Sequence, residues 1–366
     1  MHLMNSKKPL TPSEIKKFQQ ALLLWYKKNK RTLPWRESKK PYHTWISEVM
    51  AQQTRLETVI PYYERFVKKY PSIEALANAK DEELLKLWEG LGYYSRARNM
   101  KIAANQMVEC FQVQFPESLE EIKSLKGVGD YTASAIASIC FNLPEPAIDG
   151  NLLRVTSRLL ELDADVSKSG SKKIFEESLR GLIDPTQPGD FNQAFMDLGS
   201  LICTPKVVRC EHCPIRSFCK SHRNGTMLEF PVKTKKIKQQ QLYYLAFAIQ
   251  NEKGEFFVEK RTNEGLLSQM WTFPLREVTK TEYDKVAKKN EFGTNLRFKK
   301  EISHIFSHQK WQLLLLEGEL RDLEKEEGSI LKWNVIPEEL LENQEWLSLQ
   351  ELEKLPLAGP QKKMKP

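Results

Sequence analysis

Leu125-Lys126-Gly127-Val128-Gly129-Asp130-Tyr131-Thr132-Ala133-Ser134-Ala135-Ile136-Ala137, followed shortly by Pro146-Ala147-Ile148-Asp149-Gly150-Asn151, is the stretch from which the fold is read. Two glycines two apart permit a tight hairpin between helices, and its outward N–H groups with the next helix's N-terminus suit a phosphate. A lone Gly-Val-Gly reads equally as a plain helix connection. The small residues after it let another helix, or a nucleic-acid backbone, come close. Asp149 precedes Leu152-Leu153-Arg154-Val155, where it is either a helix N-cap or a carboxylate with chemistry to perform.

Downstream, Cys203, Cys210, Cys213 and Cys219 follow C-x6-C-x2-C-x5-C, leaving only Cys110 and Cys140 elsewhere. Four thiolates folded into one short loop hold either a structural zinc or a [4Fe-4S] cube. Two Cys-x2-Cys knuckles are the usual zinc layout, and this loop has one. His212 and His222 lie nearby as alternative ligands, and Lys206, Arg209 and Arg216 place cations among the cysteines, where they suit a phosphate backbone. A pair of disulfides fits poorly with a reducing cytosol.

Upstream, Thr11-Pro12-Ser13-Glu14 carries a capping box, and Ile15, Phe18, Leu22 and Trp25 recur at helical spacing. Further helices are predicted at about 44–53, 58–69, 81–89, 95–111, 118–124, 130–141, 149–161, 171–183 and 190–202. The polar run Lys233 to Gln241 marks the boundary between two regions, with a linker placed over 226–240. Beyond it, Leu242 to Ile249, Phe256 to Lys260, Phe298 to Phe306 and Trp311 to Gly318 read as strands, with helices near 280–290 and 348–354. The expectation is an all-α region over 8–225 and an α+β domain over 241–362.

The 366 residues carry 56 Lys+Arg against 48 Asp+Glu, a net charge of +8. Residues 1–225 hold 33 basic and 26 acidic side chains and residues 226–366 hold 23 and 22, so the excess lies with the helical region. It suits a polyanionic partner and also plain solubility. No run approaches the roughly 18 apolar residues of a membrane span, and Met1 to Leu10 lacks the apolar core of a signal peptide. The protein is therefore expected in the cytoplasm, with no membrane partner.

Hairpin, aspartate and cysteine loop in this order and spacing, over residues of about 10–225, resemble the helix-hairpin-helix DNA glycosylases of the endonuclease III superfamily that carry an iron–sulfur loop. The resemblance implies that Asp149 is the catalytic carboxylate and that Gly127, Val128 and Gly129 grip DNA phosphate. It implies that the carbonyls of Lys123, Leu125 and Val128 hold a cation when DNA is bound, and that the four cysteines hold a [4Fe-4S] cluster. The helix-hairpin-helix module would span about 30–145, with the cluster-bearing part made from the first helix and about 146–225. Bifunctional members place a Schiff-base lysine two residues after the last hairpin glycine. Tyr131 stands there, which points to a monofunctional hydrolase, although an aromatic at that position also reads as core.

Pro41 to Thr54 puts Glu48 among Ile46, Val49 and Met50, where a partly buried acid stays protonated or a solvent-facing glutamate simply completes an amphipathic helix. Together with Trp35-Arg36, Gly90 to Ala97 and Phe191-Asn192-Gln193-Ala194, this stretch resembles the MutY family of adenine DNA glycosylases. Ala51 departs from the larger apolar residue expected there. Gly265 to Pro274 resembles the start of a Nudix fold, but the helix after it lacks the clustered glutamates that bind metal. Phe306-Ser307-His308 matches the family's Phe-Ser-His loop.

The family implies a double-stranded DNA partner containing adenine opposite 8-oxoguanine or guanine, acted on by a bacterial-type, nucleoid-associated monomer. Glu48 would protonate adenine and then activate water, Asp149 would stabilise or attack the sugar cation, Asn151 would orient Asp149, and Tyr131 would face the sugar. Arg31, Trp35, Arg36 and Gln193 would line the adenine pocket. Gln53, Thr54 and Tyr93 would meet the duplex, Gln53 and Tyr93 as wedges, while Phe306, Ser307 and His308 would recognise 8-oxoguanine from the other face. The rivals are a bifunctional relative acting on oxidised pyrimidines and a catalytically silent lesion binder or redox sensor.

Overall fold

The computed structural model describes residues 10–234, 239–262, 265–289, 296–323, 335–337, 340–357 and 359–365. Its helices are α1 (Pro12–Asn29), α2 (Pro41–Ala51), α3 (Leu56–Lys69), α4 (Ile73–Ala77), α5 (Asp81–Leu87), α6 (Ser95–Cys110), α7 (Leu119–Ser124), α8 (Asp130–Phe141), α9 (Gly150–Leu160), α10 (Ser171–Arg180), α11 (Pro188–Leu201) and α12 (Lys220–Asn224). The strands are β1 (Gln240–Gln250), β2 (Phe256–Lys260), β3 (Trp271–Thr272), β4 (Leu275–Val278), β5 (Arg297–Ile305), β6 (Gln309–Glu319) and β7 (Gln344–Leu347). Among and after them come α13 (Lys280–Lys289), α14 (Leu320–Leu323), α15 (Leu349–Lys354) and α16 (Gly359–Met364). The contacts divide the chain into two units, residues 1–78 with 99–235, and residues 79–98 with 236–366.

In the first unit, α1 begins as its sequence dictates. Thr11 Oγ1 accepts from the Glu14 N–H at 3.3 Å while the Glu14 carboxylate accepts from the Thr11 N–H at 2.8 Å. This reciprocal pair satisfies donors that a helix start otherwise leaves open. Phe18, Leu22 and Tyr26 of α1 then meet Leu152, Val155 and Leu159 of α9 and Phe191, Phe195 and Leu198 of α11 in one buried core. Cys203, Cys213 and Cys219 pack against the same cluster, so the cysteine loop is an extension of this core.

The small residues of α8 are explained by helix packing. Ala133, Ala135 and Ala137 are wholly buried, and α8 contacts both α2 and α11. At the α11 crossing a side chain on Gly189 would stand 2.6 Å from the Ile139 backbone, so only glycine permits that approach. Helix α2 starts at Pro41, earlier than the predicted residue 44, because proline suits the first turn. It ends at Ala51, before Gln53, whose φ of 58° is left-handed and ends the helix that was expected to reach residue 53. The short helices α4 and α12 were not predicted, being too brief for a helical stripe.

In the second unit the sheet runs β3-β2-β1-β6-β5, with β4 also paired to β1 and β7 to β2. β1 and β6 are parallel from Gln240↔Gln309 to Gln250↔Glu319, and the other pairings are antiparallel. Both faces are covered. Ala246, Ala248, Leu313 and Leu315 point into one core with Leu352 and Met364, while Leu245, Phe247, Ile249, Leu314 and Leu316 point into another with Tyr283. Two-sided burial explains the continuous apolar runs of β1 and β6. Gln240, placed by sequence in the linker, and Gln241, in the polar boundary run, belong to β1, since backbone pairing with β6 is indifferent to their polar, exposed side chains. Residues 235–238 of the expected linker, and residues 8 and 9, lie outside the described residues. β3, β4 and β7 escaped sequence reading because two to four residues show no period.

Phe195 is wholly buried and stacks near Phe18 and Phe191 at centroid distances of 6.0 and 5.0 Å. Phe195→Ala is expected to cost about 3–5 kcal/mol in the unfolding of the first unit, measured by chemical denaturation.

Candidate active site

A cleft of about 760 Å³ in the first unit brings together Glu48 from α2, Tyr131 from the first turn of α8, and Asp149 from the start of α9. The hairpin glycines Gly127 and Gly129 line the same cleft. Gly127 has φ of +79°, and a side chain there would stand 2.7 Å from Asn99 Cβ, so the hairpin admits only glycine at that point. Val128, which turns inward and is 8% exposed, donates its N–H to the Leu125 carbonyl at 3.1 Å. Lys126 N–H is held by the Gln106 side chain at 2.7 Å.

Asp149 is both an N-cap and a lining residue. One carboxylate oxygen accepts from the Leu152 N–H at 2.7 Å and the other from Asn151 Nδ2 at 2.6 Å. The N-cap reading holds, and the capping carboxylate also lines the cleft. Asn151 is itself fixed, its Oδ1 accepting from Arg154 at 2.9 Å, and Gly199 of α11 leaves no room for a side chain beside it. Burial pushes the Asp149 carboxyl up, while the donors from Leu152 and Asn151 pull it back toward the anion.

Glu48 lies at the cleft floor and accepts a short 2.5 Å hydrogen bond from the Tyr131 hydroxyl. Burial pushes the Glu48 carboxyl up; the Tyr131 bond and Arg36 oppose this, and the negative Asp149 reinforces it. Burial, with the two carboxylates beside it, pushes the Tyr131 phenol well above its ordinary value, so it stays a neutral donor. Arg31 and Arg36 converge on Asp197, a wholly buried carboxylate of α11. Arg31 Nε donates to it at 2.8 Å and Arg36 donates at 2.7 Å, and the Arg36 guanidinium also lies 5.6 Å from the Tyr26 ring. Trp35 is buried edge-on to Tyr63 at 5.2 Å.

The other predicted residues are distributed as follows. Gln53 is exposed and lines the cleft, Thr54 is partly buried with its hydroxyl donating to the Gln52 carbonyl at 3.3 Å, and Gln193 turns back to the Gly189 carbonyl at 3.3 Å. Arg31, Trp35, Arg36 and Gln193 are not among the described residues lining this cleft. In the second unit, Tyr93, at φ 48°, shares a hydrogen bond with the Ser307 hydroxyl. Both line a pocket of about 390 Å³ with Phe306 and His308. Phe306 is braced by Trp311 and His304 at 4.9 and 4.6 Å.

Sequence reasoning missed Asp197 and the positioning role of Asn192. Asn192 is wholly buried; its Oδ1 accepts from the Ala147 N–H at 3.1 Å and its Nδ2 donates to the Ser138 hydroxyl at 2.9 Å and the Glu145 carbonyl at 2.8 Å. It therefore pins the loop that delivers Asp149. A buried amide or carboxylate on an apolar helix stripe was the available signal, since such groups persist only when paired.

Residues 46–181 match the family described as HhH-GPD superfamily base excision DNA repair protein, and residues 245–365 match the NUDIX domain. The chain is 32% identical over 371 residues to the adenine DNA glycosylase of Rattus norvegicus, covering 84% of this chain and 72% of the rat protein. It is 36% identical over 294 residues to the adenine DNA glycosylase of Buchnera aphidicola subsp. Baizongia pistaciae (strain Bp), covering 80% and 83%. The chain belongs to the adenine DNA glycosylase family. Its solved structural neighbours include a thermostable thymine-DNA glycosylase at 26% identity and TM-score 0.51, covering 57% of this chain and 97% of that one. The protein is thus a DNA N-glycosylase of base excision repair. No helix among the described residues is long and apolar enough to cross a membrane.

Members of this glycosylase family typically carry a [4Fe-4S] cluster. Cys203, Cys210, Cys213 and Cys219 all face one small pocket, with Arg158 and Val155 behind them. Among the described residues no three His, Cys, Asp or Glu side chains converge on a single-ion site. Burial pushes Cys213 up to about 12 and Cys219 up to about 11, and the neighbouring sulfurs add to both. Such thiols ionise only beside strong positive charge, which suits the iron of a cluster core. Arg158 donates to Cys203 Sγ at 3.3 Å and to the Thr204 carbonyl at 2.8 Å, holding the loop's entry to α9.

The Tyr131 bond stabilises the Glu48 anion, so its removal favours the protonated form. Tyr131→Phe is expected to move the Glu48 titration to higher pH, followed by NMR of carboxyl-labelled glutamate; a shift downward would contradict this electrostatic account.

Proposed function

We propose that this glycosylase hydrolyses the bond to adenine mispaired with 8-oxoguanine or guanine in double-stranded DNA, leaving an abasic site and an uncut strand. The observation that carries this reading is the cleft in which Glu48 and Asp149 stand together and Tyr131 occupies the place beside the hairpin without an amine. The glycosidic bond is inaccessible within the stack, so the adenine is extruded. Glu48, whose carboxyl burial pushes up, donates a proton to N7 and makes adenine a better leaving group. As C1′–N9 breaks, its electron pair leaves with the base, and the anionic Asp149, held by two donors at a helix N-terminus, faces the sugar cation. Glu48, now ionised, takes the proton of the water that adds to C1′. Asn151 and Asn192 keep Asp149 in place, and the Arg31–Asp197–Arg36 group stabilises the adenine-side wall.

Gly127, Val128 and Gly129 are the phosphate grip in this reading, with the Lys123, Leu125 and Val128 carbonyls available to a cation in the DNA complex. Gln53 and Tyr93, both exposed, are the side chains that insert into the duplex in this reading. Phe306, Ser307 and His308 recognise 8-oxoguanine, with Ser307 and His308 exposed and Phe306 anchored on Trp311. The second domain serves recognition alone: α13 carries two acidic residues, Glu282 and Asp284, and Glu282 is engaged in capping Thr279 at 2.8 Å. Cys203, Cys210, Cys213 and Cys219 hold the [4Fe-4S] cluster, which supplies a rigid cross-link to the loop packed on the α1–α9–α11 core. The enzyme acts as a monomer on nucleoid DNA in the cytoplasm.

Incubation with a duplex containing adenine opposite 8-oxoguanine is expected to give strand cleavage only after alkali. Glu48→Gln and Asp149→Asn are each expected to bind the duplex while losing more than about 100-fold in single-turnover rate. Asn retains the cap of α9, so the loss at position 149 isolates the charge. Cleavage without alkali, or active variants, would sink the reading. Cys213→Ser is expected to lower bound iron and visible absorbance; full iron content in that variant would remove Cys213 from the ligand set.

A further inference from the structure

The cleft of a DNA-binding protein is expected to offer free cations to phosphates, and among the described residues that line this one none is free. Its lining holds Lys123, Lys172 and Arg180 against Glu48, Asp130, Glu145, Asp149 and Glu176, three cations against five acids. Each cation is already engaged. Arg180 holds Glu145 at 2.6 Å and Glu176 at 3.1 Å, while Lys123 reaches Asp130 at 3.2 Å and Lys172 bonds the other oxygen of the same carboxylate. Asp130 is the first residue of α8, directly after Gly129, so its carboxylate adjoins the hairpin and lines the same cleft.

We propose that Asp130 is an internal counter-anion that occupies Lys123 and Lys172 in the free enzyme and limits its affinity for undamaged DNA. This rests on the reading of the hairpin as the DNA grip. The triad links α7, α8 and α10 across the cleft mouth, and all three side chains remain substantially exposed, at 39%, 55% and 52% for Lys123, Asp130 and Lys172. Exposed pairs of this kind contribute little to folding, so they exchange readily for an incoming phosphate. The two lysines also hold the Asp130 carboxyl below its usual range, so it remains an anion throughout the neutral range. A phosphate must therefore displace a carboxylate to gain either lysine, and the net electrostatic gain on binding any duplex is reduced. Affinity then depends more on contacts made only at the lesion, and specificity-determining work falls to a residue that touches no base.

The test measures binding of the full-length holoenzyme to an undamaged duplex, and to a duplex holding a non-hydrolysable adenine analogue opposite 8-oxoguanine, across a salt series. Asp130→Asn is expected to tighten binding to undamaged DNA by about three- to ten-fold at low salt, to steepen the slope of log K against log salt by about 0.9 for each lysine freed, and to reduce the preference for the mispair. Lys172→Ala alone is expected to change affinity little, but in the Asp130→Asn background to remove about half of the gain in slope, the share of one lysine of two; a merely structural triad would show no such coupling. Lys126→Glu, an exposed charge reversal on the hairpin, separates the two levels of argument. If it weakens binding while Asp130→Asn changes neither affinity nor slope, the counter-anion proposal is overturned. If Lys126→Glu has no effect, the hairpin reading fails and the proposal with it. Thermal melts of each variant confirm that the fold is retained.

Discussion

The candidate active site depends on one buried amide. Asn192 joins the end of α8, the loop after it and the backbone of Ala147, and in doing so fixes the path by which the chain reaches Asp149. Hydrogen-bond partners left unpaired in such a site cost about 1–3 kcal/mol each, so the loop has little freedom to relax. Glu48 and Tyr131 are held on the other side by α2 and α8, which pack directly on one another. The carboxylates therefore meet at a distance set by helix packing, and small residues at the α8 crossings permit it.

That packing also sets the charge states. Both carboxyls are raised by burial, but they differ in the donors they receive: two for Asp149, at a helix N-terminus, and one for Glu48. The two carboxyls are thus raised by the same cause and opposed to different extents, the kind of difference that the proposed acid and anion roles call on. The macrodipole of α9 adds to the difference. Asp197 performs a comparable role for Arg31 and Arg36, gathering two cations into an ordered pair beside Tyr26 rather than leaving them in solvent.

The two units use different means to reach rigidity. The first relies on apolar helix faces completed by the cysteine loop, whose sulfurs lie against the core of α1, α9 and α11. The second relies on a sheet covered on both faces, with Gln361 closing the far end through bonds to Thr272 and the Phe273 N–H at 3.0 and 2.9 Å. Its Phe306-Ser307-His308 loop projects from the β5–β6 turn, where sheet geometry fixes the base of the loop and leaves Ser307 and His308 exposed.

Local signals in the sequence were sufficient for most of the helices, for the hairpin and for the cysteine loop. Capping boxes, helical stripes and paired glycines act over a few residues, so Thr11–Glu14, Gly127–Gly129 and the order of the elements are written into neighbouring side chains. Glu48, Tyr131 and Asp149 were ambiguous by local pattern alone, and it was the resemblance of the surrounding motifs to a known family that made them candidates. What only the tertiary structure decided was their convergence: Tyr131 and Glu48 are 83 positions apart yet share a hydrogen bond, and Asn192 reaches back 54 positions to Ser138. The engagement of Arg31 and Arg36 by Asp197, and of the cleft lysines by Asp130, was equally hidden, because an ionic partner is chosen by helix packing in space and leaves no period along the chain.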